Sequence, residues 1–551
     1  MSAPEDRPKE TKKHIIVVGA GVGGVAVAAR LARAGHQVTV VEKNANCGGR
    51  CSVFTRKGFR FDVGPSLYLM PDIFKETFAD LGEDISTHIE LIKCNPNYKL
   101  YFADNDTITL SSDLTQLKSE IDRVEPKTGW PGFLRFLKEG QSHYDKSVAL
   151  VLRKNFEMWY EFFTGDNLIS AFELHVLWSM WGRASRYFKS DKLRRAFTFQ
   201  AMYMGQSPYE APGTYNLLQY TEIAEGVWYP KGGFNIVIEK MEMIAITKGA
   251  KFMYNTSAKR IIVDKEARLA TGIELDDGRV IDADVVVCNA DLVWAYNNLL
   301  QPTSYSKSLT RKAHTSSTFS FYWGMKQTIP ELNAHNIFLA ADYKESFDRI
   351  FKDQDLPIEP SFYIHVPSRV DSTAAPAGKD VVTVLVPVGH ISASKKQDWP
   401  ALQKRARAAV ISLLEAKLGI KDFASLIEVE EVNNPESWRD TYNLHQGSAL
   451  GLSHNITQVG WFRPSTRHED IGNIFFVGAS THPGTGVPVV LYSARLVARQ
   501  VRLQIMYGLK WRVKANYVEL LFGVFCLLLA VLAAIYMPKD WALLSDIEPE
   551  L

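Results

Sequence analysis

Cysteine is scarce, five in 551 residues. That is too few for a disulfide scaffold. Cys47 and Cys51 are the only close pair, and no second Cys/His pair stands nearby to complete a zinc site, so no metal is expected. Free thiols in a reducing compartment are the expectation. An excess of one charge is missing too. The 63 Lys and Arg are matched by 61 Asp and Glu, a net charge of +2. That excludes the global basic field of a nucleic-acid binder. Repeats and low-complexity tracts are absent. With 46% hydrophobic and 23% charged residues, the chain is globular and not disordered.

Long apolar runs are absent with one exception. Leu520 to Met537 carries no charge, and Tyr517-Val518 extend it past Glu519. This is close to the ~20 residues that cross a bilayer core. Arg502, Lys510, Arg512 and Lys514 precede it; Asp546, Glu548 and Glu550 follow. The expectation is a transmembrane helix over 517–537, with an in-plane anchor as the alternative. The charge bias places the body in the cytosol, on a membrane such as the endoplasmic reticulum. Residues 1–12 are polar and charged and read as a disordered lead-in.

What is present begins at His14. His14 to Val18 is a short apolar strand. Gly19-Ala20-Gly21-Val22-Gly23-Gly24 follows, with the G-x-G-x-x-G spacing at Gly19, Gly21 and Gly24. The first glycine permits the tight turn, the second lets backbone approach a pyrophosphate, and the third lets helix pack on strand. The helix runs on to Ala34, and its N-terminus favours phosphate. Gly35 ends it. Val38 to Val41 is the next strand, with Glu42 at its end, placed to accept both ribose hydroxyls of an adenosine. An acid there excludes a 2′-phosphate, and so NADP. Strand, helix and placed acid together make the fingerprint specific.

Farther on, the pattern is helical and aromatic-rich from about 131 to 220. Strands are expected at 259–263, 271–275 and 283–288, then within 315–325 and 360–390. A helix is expected over 400–419, and a strand, a Gly/Pro turn and a helix over 471–507. Strand-helix units open and close the chain, so one sheet assembled from separated segments is expected.

Cys47-Gly48-Gly49-Arg50 and Gly58-Phe59-Arg60-Phe61-Asp62-Val63-Gly64-Pro65-Ser66 resemble the flavoprotein superfamily of amine oxidases, carotenoid desaturases and prenyl-binding GDI proteins. The resemblance implies that Gly48, Gly49 and Arg50 help bind the FAD pyrophosphate, with Gly64, Pro65 and Ser66 beside the cofactor. Phe475 to Pro488 carries Gly478, Thr481, Gly484, Gly486 and Val487, in the pattern G-A-x-T-H-P-G-x-G-x-P. That pattern is similar to the carotenoid desaturases. It has Ser480-Thr481 where many relatives place an acid for the flavin ribityl chain. Gly226 to Gly233, Asn289-Ala290-Asp291, Trp461 to Pro464, Asp191 to Phe197 and Met202 to Tyr209 match the same family, most closely its fungal members.

The resemblance implies an α/β fold. A Rossmann-type FAD domain is assembled from 13–75, 226–300 and 465–505. A β-sheet substrate domain takes 76–130 and 301–464, and a helical membrane-associated subdomain takes 131–225. It implies an oxidoreductase acting on CH–CH groups, with stepwise dehydrogenation of the C40 hydrocarbon phytoene to neurosporene, lycopene or 3,4-didehydrolycopene. FAD is the expected cofactor. NAD is a lesser expectation as electron acceptor, because only one dinucleotide fingerprint is visible. Forty carbons at ~0.8 kcal/mol per CH₂ mean on the order of 30 kcal/mol against passage through water. A lipid bilayer is therefore an expected partner, and a homo-oligomer is left open.

The stretch 156–163 with 177–181 is read as the substrate's access region, an ordinary core face being the alternative. No Ser-His-Asp arrangement is seen. Asp191, Arg194 and His482 are the candidates for deprotonation or charge stabilisation. The alternatives are a flavin amine oxidase, a C30 carotenoid desaturase, and a non-enzymatic lipid binder of the GDI type.

Overall fold

The computed structural model describes residues 11–156, 158–162 and 164–508. At its centre is a five-stranded sheet with all neighbours parallel. The order across it is Ile474–Phe476, Val285–Cys288, β1 (His14–Val18), β2 (Gln37–Val41) and Lys251–Met253. The separated segments expected from the strand-helix pattern do meet in one sheet.

β1 is apolar throughout because both faces of a parallel sheet are covered. Ile15 and Val17 point into a core with α1 (Val22–Arg33) and the helices Ile236–Thr247 and Val487–Tyr507. Ile16 and Val18 point the other way, onto an antiparallel sheet of Ala258–Asp264, Leu269–Leu275 and Val280–Asp282. Alanines dominate the buried side of α1, so the helix lies close to the sheet.

A second, seven-stranded sheet is mixed. Its order is Ile427–Asn433, Ser317–Met325, Val381–Val388, Phe362–His365, His335–Phe338, Tyr98–Tyr101 and Thr107–Leu110. Only the His335–Phe338 pairing with Tyr98–Tyr101 is parallel. Phe319, Phe321 and Trp323 pack on one face against the helix Trp399–Leu418. On the other face Thr318, Ile337, Tyr363 and Leu385 line a cavity. Helices between Gly129 and Tyr220 cover that cavity from the opposite side.

One expectation is corrected. Among the described residues no helix is long and apolar enough to cross a membrane. The expected single-pass membrane localisation, at the endoplasmic reticulum, is therefore withdrawn. The segment 517–537 on which it rested lies outside the described residues, as do residues 1–10 of the expected lead-in.

Candidate active site

The glycine turn is built by contact. A Cβ on Gly24 would stand 2.0 Å from the Gly19 carbonyl oxygen. A Cβ on Gly21 would stand 2.7 Å from Asn289 Oδ1. So α1 starts hard against β1, and its first turn faces open space. Asn289 Nδ2 donates to the Val477 carbonyl at 2.8 Å. One side chain thereby ties the turn to the C-terminal strand.

Glu42 is buried at the cavity end of β2. Its Oε2 accepts from the Ala20 N–H at 2.8 Å, and its Oε1 from the Asn44 N–H at 2.8 Å. Gly48 donates its N–H to the Ala20 carbonyl at 2.9 Å, which brings Gly48, Gly49 and Arg50 beside the turn. Arg50 Nη1 donates to the Ala449 carbonyl at 2.7 Å. Burial lowers the Arg50 pKa. At the other chain end, Gly486 has φ +100 and caps the helix Val487–Tyr507. A β-carbon is disfavoured there, so the chain can turn the helix N-terminus toward the cavity.

The cavity is about 680 Å³. Gly19, Gly21, Glu42, Gly48, Gly49, Arg50, Gly64, Pro65, Ser66, Gly478, Thr481, Gly484, Gly486 and Val487 all line it. Gly24 does not; it is the packing residue beneath the turn. Away from the glycines the wall becomes apolar, with Val151, Phe156, Phe162, Phe172, Leu177 and Leu218. Phe156, Phe162 and Leu177 come from the expected access region. Met180, from the same stretch, is core, and Trp178 is exposed.

The three catalytic candidates are elsewhere. Asp191 is exposed in the first turn of Asp191–Ala196 and pairs with Arg195 at 2.6 Å. Arg194 Nε donates to the Phe188 carbonyl at 2.8 Å. His482 is buried, with Nε2 hydrogen-bonded to the Lys154 carbonyl at 2.7 Å. Burial lowers its pKa to about 4, so the ring is neutral at physiological pH and Nε2 carries the donated proton. Its neighbours Thr481 and Pro483 line the cavity; His482 braces them from behind.

Several site residues were not assigned from the sequence. Arg463 is buried and donates to five backbone carbonyls, those of Leu452, Ser453, Gln458, Ala479 and Thr481. Its Trp-Phe-Arg-Pro setting was the available signal. Ser66 Oγ lies 2.6 Å from Tyr363 Oη, which lies 2.8 Å from His335 Nδ1. Glu222 is fully buried beside Tyr203, which lines the cavity. An acid inside the run Leu217 to Ile223 was the only hint. Among the described residues, Glu139, His143 and His175 are spaced to hold a metal ion. The Glu139 carboxylate there already accepts from Arg183 and Tyr187, so the cluster serves as a polar latch between helices.

A flavin nucleotide fits these residues. The cradle is Cβ-free where Gly21 and Gly48 would otherwise collide with Asn289 and Asn235. An acid stands at the ribose position, and a half-buried arginine beside two glycines suits a pyrophosphate. Fold and site together define a dinucleotide-binding flavoprotein oxidoreductase.

The comparisons with known proteins agree. Residues 22–502 match the flavin containing amine oxidoreductase family. The phytoene desaturase of Phycomyces blakesleeanus is 52% identical over 495 residues, covering 89% of this chain and 85% of that protein. That of Neurospora crassa is 46% identical, covering 91% and 85%. The zeta-carotene-forming phytoene desaturase of Myxococcus xanthus is 42% identical, covering 89% and 94%. Among solved structures, a putrescine oxidase variant superposes with TM-score 0.60 at 12% identity, over 90% of this chain and 99% of that one. The chain therefore belongs to the flavin containing amine oxidoreductase family, in its phytoene desaturase group, and FAD is the cofactor.

Proposed function

We propose that this protein is an FAD-dependent desaturase of phytoene, introducing conjugated double bonds stepwise into the C40 chain. The observation that carries the reading is one continuous cavity, which runs from the glycine cradle to an apolar wall. A hydrocarbon offers no polar handle, so recognition is by shape and apolar burial. The similarity to phytoene desaturases over nine-tenths of the chain supports the substrate.

When bound, FAD supplies the two-electron acceptance that the reaction needs. Glu42 would hold the adenosine ribose. The backbone at Gly19, Gly21, Gly48 and Gly49, with Arg50, would hold the pyrophosphate, with Gly64, Pro65 and Ser66 beside it. The cavity-lining segment Gly478 to Val487, with Thr481, Gly484 and Gly486, would hold the flavin end. The N-terminus of Val487–Tyr507 favours negative charge there. Arg463 and His482 fix the shape of that segment. Asp191 and Arg194 serve the packing of their own helix.

The test is incubation of purified protein with FAD and phytoene in liposomes, followed by chromatography. Coloured products are expected, and their absorption maxima count the steps. Unchanged phytoene with bound, reducible flavin would overturn the substrate. Conversion of a C30 analogue alone would shorten it.

A further inference from the structure

Desaturation removes two hydrogens from neighbouring carbons. One leaves with the electron pair that FAD takes up. The other leaves as a proton, and none of the candidates Asp191, Arg194 or His482 faces the cavity to receive it. A hydrogen-bonded route does run from the cavity wall to a fully buried carboxylate.

Tyr203 lines the cavity, and its hydroxyl donates to Glu222 Oε1 at 2.7 Å. Tyr98 donates to the same oxygen at 2.8 Å, and Gln200 Nε2 donates to Oε2 at 2.9 Å. Glu222 sits in the π-helical turn Thr221–Glu225 and is fully buried. No cation is among these partners. A carboxylate buried this way, held only by neutral donors, is costly unless it can take up a proton.

We propose that Tyr203 and Glu222 form the proton outlet of the desaturation, with Tyr203 meeting the substrate and Glu222 as the terminal acceptor. The inference rests on the phytoene reading above. As the C–H bond next to the oxidised carbon breaks, its electron pair becomes the new C=C bond. The proton goes to the Tyr203 oxygen, and the Tyr203 hydroxyl proton passes to Glu222, leaving a neutral acid. That acid is re-ionised before the next turn. Tyr203 is the residue that touches substrate; Glu222 acts through it.

Burial holds the Glu222 pKa up at about 7. The titratable groups facing it are few. They are Tyr98 from its strand and Tyr203 from Gln200–Tyr203. Tyr363 of Phe362–His365 lies nearby, with His335 against the Tyr98 ring. All three tyrosines are pushed far up and His335 far down by burial, so only Glu222 titrates near neutrality.

Two readouts test this. The first is difference infrared spectroscopy of the FAD-loaded protein against pH, without substrate. A carboxyl band is expected to titrate near neutral pH and to vanish in Glu222→Gln. The second is anaerobic single-turnover desaturation of phytoene. The wild-type rate is expected to rise through neutral pH. In Glu222→Gln it is expected to be flat with pH and lower by roughly 10²-fold or more. Tyr203→Phe, which keeps the carboxylate, is expected to lose a similar factor with normal flavin content. Tyr98→Phe removes a donor of equal length away from the lumen and is expected to lose much less. A wild-type pH profile in either Glu222→Gln or Tyr203→Phe overturns the proposal. So do equal losses in the two tyrosine variants, or no carboxyl titration near neutrality. If wild-type protein itself leaves phytoene unchanged, the failure is that of the substrate reading, and the proposal falls with it.

Discussion

Gly24→Ala is the sharpest perturbation of the cofactor cradle. The new methyl would stand 2.0 Å from the Gly19 carbonyl oxygen and 3.1 Å from Asn289 Cβ and Oδ1. Ordinary contact begins near 3.4 Å, so the helix start has to retreat by about 1.4 Å. Overpacking of this kind costs about 1–3 kcal/mol, while the better helix propensity of alanine returns at most ~1 kcal/mol. Stability therefore falls modestly. The larger effect is on binding. A shift of that size breaks or stretches hydrogen bonds from the Gly19–Val22 backbone to phosphate oxygens, each worth ~1.5–3 kcal/mol when charged. Loss of one means roughly 10- to 150-fold weaker FAD binding. The assay is FAD titration of apoprotein by fluorescence quenching, with thermal melting alongside. Gly35→Ala is the control. It has open space around it but φ +94, so it costs about 1–2 kcal/mol of stability and leaves the cradle alone. Wild-type FAD affinity in Gly24→Ala, or equal loss of affinity in Gly35→Ala, would refute the reasoning.

Glu42→Ala is expected to purify largely free of flavin while remaining folded, read by the flavin-to-protein absorbance ratio and circular dichroism. Arg463→Met takes a donor from five buried carbonyls, of which that of Ser453 keeps Gln458 Nε2 at 3.1 Å. A loss of more than ~3 kcal/mol is expected in urea unfolding, at ~1–3 kcal/mol per unsatisfied group with partial relaxation. Glu222 has a folded pKa of about 7 against 4.5 in the unfolded chain. A raised carboxyl pKa means that the folded state binds the proton more tightly. The group thus costs nothing below the unfolded value, and stability falls as pH rises toward the folded value, by about 3 kcal/mol in all. Wild type minus Glu222→Gln stability should therefore drop between about pH 4.5 and about pH 7. A pH-independent difference in urea midpoints would contradict it. Phe172→Arg places a charge on the apolar wall and is expected to raise the apparent KM for phytoene without altering FAD content; an unchanged KM would remove Phe172 from the substrate path.

The strand-turn-helix-strand unit that opens the described chain was readable from local spacing. Gly19, Gly21, Gly24 and Glu42 lie within one strand-turn-helix-strand unit, so spacing alone carries the geometry. The strands Ala258–Asp264, Leu269–Leu275 and Val285–Cys288 were likewise readable from apolar runs and an Asp-Asp-Gly turn, while the short Val280–Asp282 was missed. The strands Tyr98–Tyr101 and Thr107–Leu110 were not, since runs of four residues give little periodicity. The proton path was the hardest. Tyr98, Tyr203 and Glu222 come from three segments and meet only through tertiary packing. Asp191 drew notice from its motif, yet its partner is Arg195, one helical turn away. The stretches 156–163 and 177–181 were half readable: their apolar and aromatic composition marked Phe156, Phe162 and Leu177, which line the cavity, but could not separate lumen from core.

The strand order has a consequence for how the protein is made. β1, completed at residue 18, is flanked by β2 on one side and by Val285–Cys288 on the other, and the latter by Ile474–Phe476. A ribosome adding ~5–20 residues per second needs roughly 20–90 s to travel from the first of these strands to the last. Through that interval the apolar centre of the sheet stands open on one side, a substrate for chaperones and for aggregation. The nucleotide pocket closes only when Gly478 to Val487 arrive, so flavin is captured only after most of the chain has been made. From then on free FAD acts as a folding ligand, stabilising the native form by mass action. The yield of active protein in a cell then depends on its flavin supply as well as on its transcript.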